Sequence, residues 1–313
     1  MKALVTGVAG FIGSHVAQEL ITRGFEVIGI DSFEGFYPRR LKESNMSALR
    51  GDGGFTFLEE NILDVDFGQL LSRVEYVFHL AAQAGVRSSW GTHFDIYAKN
   101  NILATQKLLE AATACPLKRF IFTSSSSVYG DTNDLPMRED AACRPVSPYG
   151  VSKLAAEHLC HLYWKSYDVP VVALRLFSVY GPRQRPDMAF HKFIKALLRD
   201  DEFEVYGDGS STRDYTFVSD VTEAHLLALD ATPGEVLNVG GGSRVSLRGV
   251  VETLGDLLGR APKIKWTHVQ KGDVRHTWAD LSKIEELLHY RPKVQLEEGL
   301  QREMSWVREV YQL

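Results

Sequence analysis

The 313-residue sequence has little of what marks membrane, disulfide-rich or nucleic-acid-binding proteins. No apolar run approaches the roughly 18 residues that a membrane-spanning helix needs. Its three cysteines, Cys115, Cys143 and Cys160, are spaced neither as a disulfide framework nor as a metal site, so no metal is expected. The 35 basic and 40 acidic residues give a net charge of −5, which disfavours nucleic acid as a partner. These absences indicate a reduced, cytoplasmic globular protein, and we expect an enzyme.

The first half of the chain alternates strand-like and helix-like patterns. Strands are predicted at residues 2–6, 26–30, 55–58, 76–80, 119–123 and 171–176. Between several of them, apolar residues recur three and four apart, as in residues 12–22, 102–114 and 154–167. This alternation predicts an α/β fold in which a parallel sheet is covered on both faces. Because such crossovers are right-handed, the sheet is expected to be doubly wound, of the Rossmann type.

The rhythm changes after about residue 180, where glycine-rich turns separate shorter elements. Helical patterns continue at residues 189–199, 221–230, 247–258, 281–288 and 300–311. No linker rich in serine or proline separates the two halves. We therefore expect a nucleotide-binding domain at residues 1–178 and a smaller α/β substrate domain at residues 179–313. Some strands and helices are expected to interleave between them, with a cleft where they meet.

A glycine-rich turn joins the first strand to the first helix. Gly7, Gly10 and Gly13 supply the tight turn, and Phe11 and Ile12 open the helix. A pyrophosphate can approach the backbone only where no Cβ intervenes, and the helix N-terminus offers it free N–H groups. Because the triplet opens a βαβ unit at the start of the chain, it predicts a dinucleotide site.

An acidic residue at the end of the second strand predicts which dinucleotide binds. Asp31 follows Gly13 by eighteen residues, where a carboxylate accepts hydrogen bonds from the adenosine ribose and repels a 2′-phosphate. NAD is therefore predicted, while Arg39 and Arg40 leave NADP as an alternative. Further cofactor contacts are expected from residues at strand ends: Ser32, Asn61, Ile62, Leu80, Ala81 and Ala82.

Tyr149 and Lys153 stand four residues apart on one face of a predicted helix that follows Ser147-Pro148. A tyrosine with a pKa near 10 is a poor base at neutral pH. We expect the neighbouring ammonium, together with a positive nicotinamide ring, to lower the pKa of Tyr149. Ser125 and Ser126 follow the fifth strand and are expected to bind a substrate hydroxyl and the tyrosine oxygen. The sequence does not decide which serine of the four consecutive serines acts.

Five motifs together resemble the extended short-chain dehydrogenases/reductases, and among them the nucleotide-sugar epimerases and dehydratases. The motifs are Thr6-Gly7-x-x-Gly10-x-x-Gly13, His79-Leu80-Ala81-Ala82, Ser125-Ser126-Ser127-Val128-Tyr129-Gly130, Pro148-Tyr149-Gly150-x-Ser152-Lys153 and Arg175-Leu176-Phe177-Ser178-Val179-Tyr180-Gly181-Pro182. The resemblance implies a bound NAD that accepts a hydride from carbon 4 of a UDP-sugar while Tyr149 removes the 4-hydroxyl proton. Family dehydratases carry Asp-Glu where this chain has Ser126 and Ser127, so dehydration is disfavoured.

Details of the resemblance point toward uronic acids. The segment Gln83-Ala84-Gly85-Val86-Arg87 is similar to that of glucuronate 4-epimerases, and Ser178 replaces the asparagine usual in glucose epimerases. Arg185 is a candidate clamp for the sugar carboxylate. By resemblance, Arg213 and Arg275 bind the diphosphate, with Asp273 orienting Arg275.

The expected activity is a UDP-sugar 4-epimerase that interconverts UDP-glucuronate and UDP-galacturonate. UDP-glucose 4-epimerase is the first alternative and UDP-glucuronate decarboxylase the second, although the glutamate common in decarboxylases is absent. A non-catalytic dinucleotide-sensing module or a structural protein would not need both Tyr149 and Lys153. The resemblance also implies a homodimer through residues 95–114 and 148–167.

Overall fold

The computed structural model covers residues 1–313 and is centred on a seven-stranded parallel sheet. The strands are β1 (Lys2–Thr6), β2 (Glu26–Ile30), β3 (Phe55–Leu58), β4 (Tyr76–His79), β5 (Arg119–Ser125), β6 (Val171–Leu176), β7 (Ser178–Tyr180), β8 (Phe203–Tyr206), β9 (Thr212–Phe217), β10 (Val236–Val239), β11 (Arg244–Ser246) and β12 (Ile264–Thr267). The order in the large sheet is β10-β6-β5-β4-β1-β2-β3. The predicted doubly wound α/β fold is therefore confirmed.

Helices connect the strands and cover both faces of the sheet. They are α1 (Phe11–Thr22), α2 (Arg39–Asn45), α3 (Phe67–Leu71), α4 (Phe94–Tyr97), α5 (Ala104–Ala112), α6 (Pro148–Tyr167), α7 (Ala189–Arg199), α8 (Val218–Leu227), α9 (Leu247–Leu258), α10 (Ser282–Leu288) and α11 (Leu296–Tyr311). A π-helical segment, Ala98–Leu103, joins α4 to α5. None of the helices combines the length and apolar character that a bilayer crossing requires.

The central strands are apolar without alternation because both of their faces are buried. In β1, Ala3 and Val5 pack into one hydrophobic core, while Leu4 between them packs into the other. Successive side chains of a strand point to opposite faces, so a run of this kind needs apolar cover on both sides. Helices α1 and α8 supply it on the first face, and α3, α5 and α6 supply it on the second.

The second half of the chain contributes to three sheets. Strand β10 pairs in parallel with β6 and completes the large sheet, whereas β11-β9-β7 and β12-β8 form two small sheets. The predicted division at residue 178 stays a prediction. The edge strand β10 of the large sheet lies far beyond residue 178 in the sequence.

The carboxyl ends of the parallel strands meet at one edge of the sheet, which is where ligands bind in folds of this kind. The glycine turn follows β1, Asp31 follows β2, and the serine run completes β5. Helix α6 begins beside them because the Ser147 hydroxyl accepts the Gly150 N–H at 3.1 Å and Pro148 occupies the first turn.

We predict that Leu237→Ala lowers the free energy of unfolding by about 2–5 kcal/mol, because Leu237 is fully buried on β10 against the main core. Chemical denaturation followed by circular dichroism measures the change. Leu287→Ala, at a site 46% exposed on α10, is the matched control and should cost less than about 1 kcal/mol. Equal losses in the two variants would mean that β10 is not an integral strand of the large sheet.

Candidate active site

A cavity of about 390 Å³ opens at the carboxyl ends of β1, β2, β4, β5 and β6. Every residue predicted to contact the dinucleotide lines it, namely Gly7, Gly10, Phe11, Ile12, Gly13, Asp31, Ser32, Asn61, Ile62, Leu80, Ala81, Ala82, Tyr149 and Lys153. Ser125, Ser126, Ser178 and Arg185 line the same cavity. Three predicted substrate residues, Arg87, Arg213 and Arg275, are not among the lining residues.

The glycine turn is a cradle that side chains would fill. Gly7 has φ +72°, and a Cβ there would lie 2.8 Å from the backbone nitrogen of Ala81. A Cβ on Gly13 would lie 2.2 Å from the Gly7 carbonyl oxygen. No side chain caps the N-terminus of α1, so its first N–H groups remain available to an anion.

The Asp31 carboxylate is tied to this turn. It accepts the Ala9 N–H at 3.2 Å and the Phe33 N–H at 2.8 Å. The Lys42 ammonium lies 3.7 Å from the same carboxylate and donates to the Glu34 carbonyl at 3.0 Å. Lys42 was missed by the sequence analysis, because nothing in its spacing indicates that α2 turns this side chain inward.

Arg39 and Arg40, which left NADP as an alternative cofactor, contact other parts of the protein. Arg39 pairs with Glu59 at 2.7 Å and with Glu43 at 2.9 Å, and its guanidinium lies 4.2 Å from the centre of the Phe33 ring. The Arg40 guanidinium lies 6.0 Å from the ring of Tyr311. Neither lines the cavity.

The Tyr149 side chain is half-buried and lines the cavity next to Ser125. Burial raises the pKa of Tyr149, and a hydrogen bond with Ser125 and the charge of Arg185 offset part of that rise. The Ser125 oxygen also accepts the Ser127 N–H at 3.2 Å, which leaves its own proton free to donate to the phenol oxygen. Of the four serines, Ser125 is the one that faces the tyrosine, and which serine acts in the reaction stays a prediction.

The expected joint effect of Lys153 and a nicotinamide ring on the pKa of Tyr149 stays a prediction, because in the protein without a ligand burial raises that pKa. The Lys153 ammonium donates to the Thr123 carbonyl at 2.5 Å and lies 4.4 Å from the centre of the Phe122 ring. Burial lowers the pKa of Lys153 to about 8, and the cations that offset the burial of Tyr149 do not include it. The shared helix face brings the two residues into one cavity, but desolvation outweighs their mutual effect.

A corner of the cavity offers hydrogen-bond donors that could meet a carboxylate. Arg185 is bound through Nε and Nη2 to Asp187, both at 3.0 Å, and lies 5.6 Å from the centre of the Phe36 ring. Its Nη1 has no partner within the protein. The hydroxyls of Ser126 and Ser178 likewise have none, so all three are free for a ligand.

Sequence reasoning also missed two aromatic residues after β2. Phe36 and Tyr37 line the cavity, and the buried Tyr37 hydroxyl has no hydrogen-bond partner. A buried hydroxyl without a partner costs free energy unless a ligand supplies one. The signal in the sequence was the segment Gly35-Phe36-Tyr37-Pro38, which loosely resembles the loop after the second strand of glucuronate 4-epimerases, but it did not identify either side chain as a site residue.

The three arginines outside the cavity lie at the small sheets. Arg213 donates to backbone carbonyls, including that of Val274 at 2.6 Å, while Arg275 is exposed. Asp273 pairs with Arg87 at 2.7 Å, and the Arg87 guanidinium lies 4.1 Å from the ring of Tyr206. The expected role of Asp273 toward Arg275 is therefore wrong, because a residue from the loop after β4 reaches the carboxylate instead.

The cavity fits a dinucleotide at one end and a polyhydroxylated substrate at the other. The glycine cradle, the uncapped helix and Asp31 suit a pyrophosphate and a ribose. The phenol, the Ser125 hydroxyl and a nearby ammonium suit proton transfer to and from an alcohol. The structure contains no group of three or more histidine, cysteine or acidic residues that could hold a metal ion.

Comparisons with known proteins agree with this geometry. A curated UDP-glucuronate 4-epimerase of Thermodesulfobacterium geofontis is 35% identical over 99% of this chain and 97% of its own length. A Bacillus subtilis relative described as an uncharacterized UDP-glucose epimerase is 46% identical over 100% of this chain and 99% of its own.

A solved structure of similar sequence contains both kinds of ligand. It is the UDP-glucuronic acid 4-epimerase from Bacillus cereus in complex with UDP-glucuronic acid and NAD, which superposes with a TM-score of 0.97 at 44% identity. The match covers 99% of this chain and 100% of that one. The model of the GDP-mannose 4,6 dehydratase family matches residues 4–303. The chain therefore belongs to this family of extended short-chain dehydrogenases/reductases, as its motifs predicted.

Proposed function

We propose that the protein is an NAD-dependent UDP-sugar 4-epimerase that interconverts UDP-glucuronate and UDP-galacturonate through a transient 4-keto sugar. The observation that carries this proposal is the shared cavity: a half-buried phenol facing a serine hydroxyl lies beside a glycine cradle at one end and unpartnered cationic and hydroxyl donors at the other. The Bacillus cereus structure with UDP-glucuronic acid and NAD supports it.

The residues of the glycine turn and Asp31 would hold NAD. Its pyrophosphate would meet the N-terminus of α1, and its adenosine ribose would meet Asp31 and the neighbouring Lys42. NAD is favoured over NADP because Asp31 is within the cavity and Arg39 is committed to two glutamates. When bound, NAD supplies a hydride acceptor at carbon 4 that can return the hydride to either face of the sugar.

Tyr149 moves the proton. Its phenolate oxygen takes the proton of the sugar 4-hydroxyl as the 4-keto sugar forms, and gives it back when the alcohol is restored. Ser125 would donate to the same oxygen, and Arg185 brings positive charge near it, while the Lys153 ammonium lines the same cavity. Because burial alone opposes the phenolate, the tyrosine depends on this positive charge and on that of the oxidised cofactor.

Ser126, Ser178 and Arg185 would bind the sugar carboxylate. A ketone at carbon 4 beside the carboxylate on carbon 5 makes a β-keto acid, which loses CO₂ when the breaking bond aligns with the ketone's π system. A clamp with three free donors can hold the carboxylate out of that alignment. Arg213, Arg275 and Arg87 are proposed, by resemblance, for the UDP end of the substrate.

Dehydration is disfavoured although the family is named for a dehydratase. Elimination of water needs an acid–base pair near the sugar, and the carboxylates that line the cavity are Asp31, Glu34 and Glu60. All three follow β2 or β3, at the proposed adenosine end, whereas the residues beside Ser125 are serines. UDP-glucose 4-epimerase remains the second candidate because of the description of the Bacillus subtilis relative.

We infer a cytoplasmic homodimer. Four large apolar side chains are exposed on the two segments predicted to pair: Leu103 at 51%, Val151 at 46%, Leu162 at 52% and Tyr167 at 57%. Burial of these side chains against a second copy would remove apolar surface from water. The small net charge of −5 adds little repulsion between copies.

The test of the function is a panel of UDP-sugars incubated with purified protein and no added NAD, followed by NMR. UDP-glucuronate and UDP-galacturonate should interconvert, and Tyr149→Phe should slow this at least about 100-fold because the proton acceptor is lost. Conversion of UDP-glucose alone would favour the second candidate, and a UDP-pentose would favour decarboxylation. No turnover of any UDP-sugar would contradict the proposal.

Arg185→Ala should lower kcat/KM for UDP-glucuronate about 10- to 100-fold, because a charge-assisted hydrogen bond is lost, and should raise the yield of UDP-pentose. NMR of the products measures both quantities. Arg138→Ala is the matched control, since Arg138 also pairs with an aspartate two residues later but lies away from the cavity. An unchanged rate with an unchanged product ratio would remove Arg185 from the clamp.

The Tyr149 phenol should stay protonated up to at least about pH 10 in protein stripped of NAD, because burial raises its pKa above the ordinary value. The measurement is the ultraviolet difference titration between the unmodified protein and Tyr149→Phe. Adding NAD should move the phenol's titration to lower pH, since a positive ring favours phenolate. A phenol that already titrates near neutral pH without NAD would contradict the effect of burial.

A further inference from the structure

A buried carboxylate stands one helical turn beyond Lys153 and is not used by the mechanism above. Glu157 on α6 is 6% exposed, and both of its oxygens are engaged. One oxygen accepts the Ser124 hydroxyl at 2.7 Å and Arg175 Nε at 3.1 Å; the other accepts Arg175 Nη2 at 2.5 Å. Its two partner residues are therefore a serine of the active-site run and an arginine with a buried guanidinium.

The partners of Glu157 connect the helix to two central strands. Ser124 lies on β5 directly opposite Arg175 on β6 in the parallel register. Arg175 also donates to the Glu139 carbonyl at 3.1 Å, and its guanidinium lies 4.7 Å from the Tyr129 ring. The carboxylate thus ties the end of β5, immediately before Ser125, to the helix that carries the tyrosine.

Glu157 also acts on Lys153 through its charge. Tyr149, Lys153 and Glu157 are spaced four apart and share one face of α6. The groups around the ammonium are the neutral His79 of β4, the Thr123 carbonyl and Phe122 ring of β5, and the thiol of Cys160. Burial lowers the pKa of Lys153, and Cys160 and then the charge of Glu157 offset part of that fall.

We propose that Glu157 is a positioning residue for the epimerase reaction, which holds the serine run through Ser124 and keeps Lys153 protonated beside the second buried cation, Arg175. The role of Glu157 in turnover rests on the proposed function. The effect of Glu157 on the Lys153 ammonium does not depend on which substrate the protein converts.

The charges predict the direction in which each of two substitutions shifts the pKa of Lys153. In Glu157→Gln, two buried cations remain without their anion, so Lys153 loses its proton at lower pH. In Arg175→Met, the carboxylate has Lys153 as its remaining cation, so Lys153 keeps its proton to higher pH. Opposite shifts from one ion pair cannot come from general damage to the fold.

The experiment records the pH dependence of kcat for UDP-glucuronate in the NAD-containing protein. Activity should fall as pH rises through the pKa of Lys153, which burial brings to about 8 before NAD binds. Glu157→Gln should shift the fall of kcat about one pH unit toward lower pH, so that kcat is about tenfold lower than in the unmodified protein at alkaline pH. Arg175→Met should shift the same fall toward higher pH. Ser124→Ala keeps both charges and should lower kcat several-fold without shifting the fall.

A second readout needs no substrate. NMR of lysine-labelled protein follows the Lys153 side chain, whose signal is assigned by its loss in Lys153→Met. The pKa read from this signal should be lower in Glu157→Gln than in the unmodified protein. Glu157→Asp, which keeps the charge, should leave the pKa of Lys153 close to that in the unmodified protein. Glu303→Gln is the matched control, since Glu303 is also a fully buried helical carboxyl but contacts Gly181 instead, and it should leave Lys153 unchanged.

A uniform loss of kcat at every pH, with an unmoved Lys153 signal in Glu157→Gln and Arg175→Met, would overturn the proposal and leave the ion pair as a structural contact. If the Lys153 signal shifts as expected but the protein does not epimerise UDP-glucuronate, the proposed substrate fails and the role of Glu157 stands.

Discussion

The burial of the Tyr149 phenol is the constraint on which the rest of the site depends. A phenol partly withdrawn from water resists ionisation, so every neighbour that donates a hydrogen bond or carries positive charge changes what the residue can do. Ser125 donates to it, Arg185 brings charge from the loop after β7, and Lys153 stands one turn along the helix. Binding within this cavity would keep an oxidised sugar from leaving to solvent before it is reduced again.

The fold brings these groups together because a parallel sheet ends all of its strands at one edge. The glycine turn, Asp31 and the serine run come from β1, β2 and β5, and helix α6 begins beside them at a capped serine and a proline. The proposed cofactor and substrate contacts therefore share one cavity. The buried pair of Glu157 and Arg175 lies behind this edge and fixes the helix against β5 and β6.

Much of the fold and the cavity follows from the sequence, and the exceptions have physical reasons. The six strands of the first half are predicted to within two residues because their runs are apolar and, except in the edge strand β3, largely buried. By contrast, β7, β8, β9, β11 and β12 are short, mixed in character and set by tertiary pairing. Lys42 and Tyr37 were missed because the inward direction of a loop or helix side chain leaves no periodic signal. The partner of Asp273 and the pKa of Tyr149 depend on contacts distant in sequence and on desolvation, which spacing does not encode. The individual roles of the site residues, the domain boundary and the dimer remain predictions.

We propose that NAD bound in this cavity would accept the hydride from carbon 4 and return it to the same carbon of the same molecule. UDP-glucuronate carrying deuterium at carbon 4 tests this most directly, with no NAD added and the products examined by mass spectrometry and NMR. The account predicts UDP-galacturonate that keeps its deuterium at carbon 4 through many turnovers in ordinary water. Progressive loss of the deuterium to solvent would contradict it, because the hydrogen would then have left the cavity between the two steps.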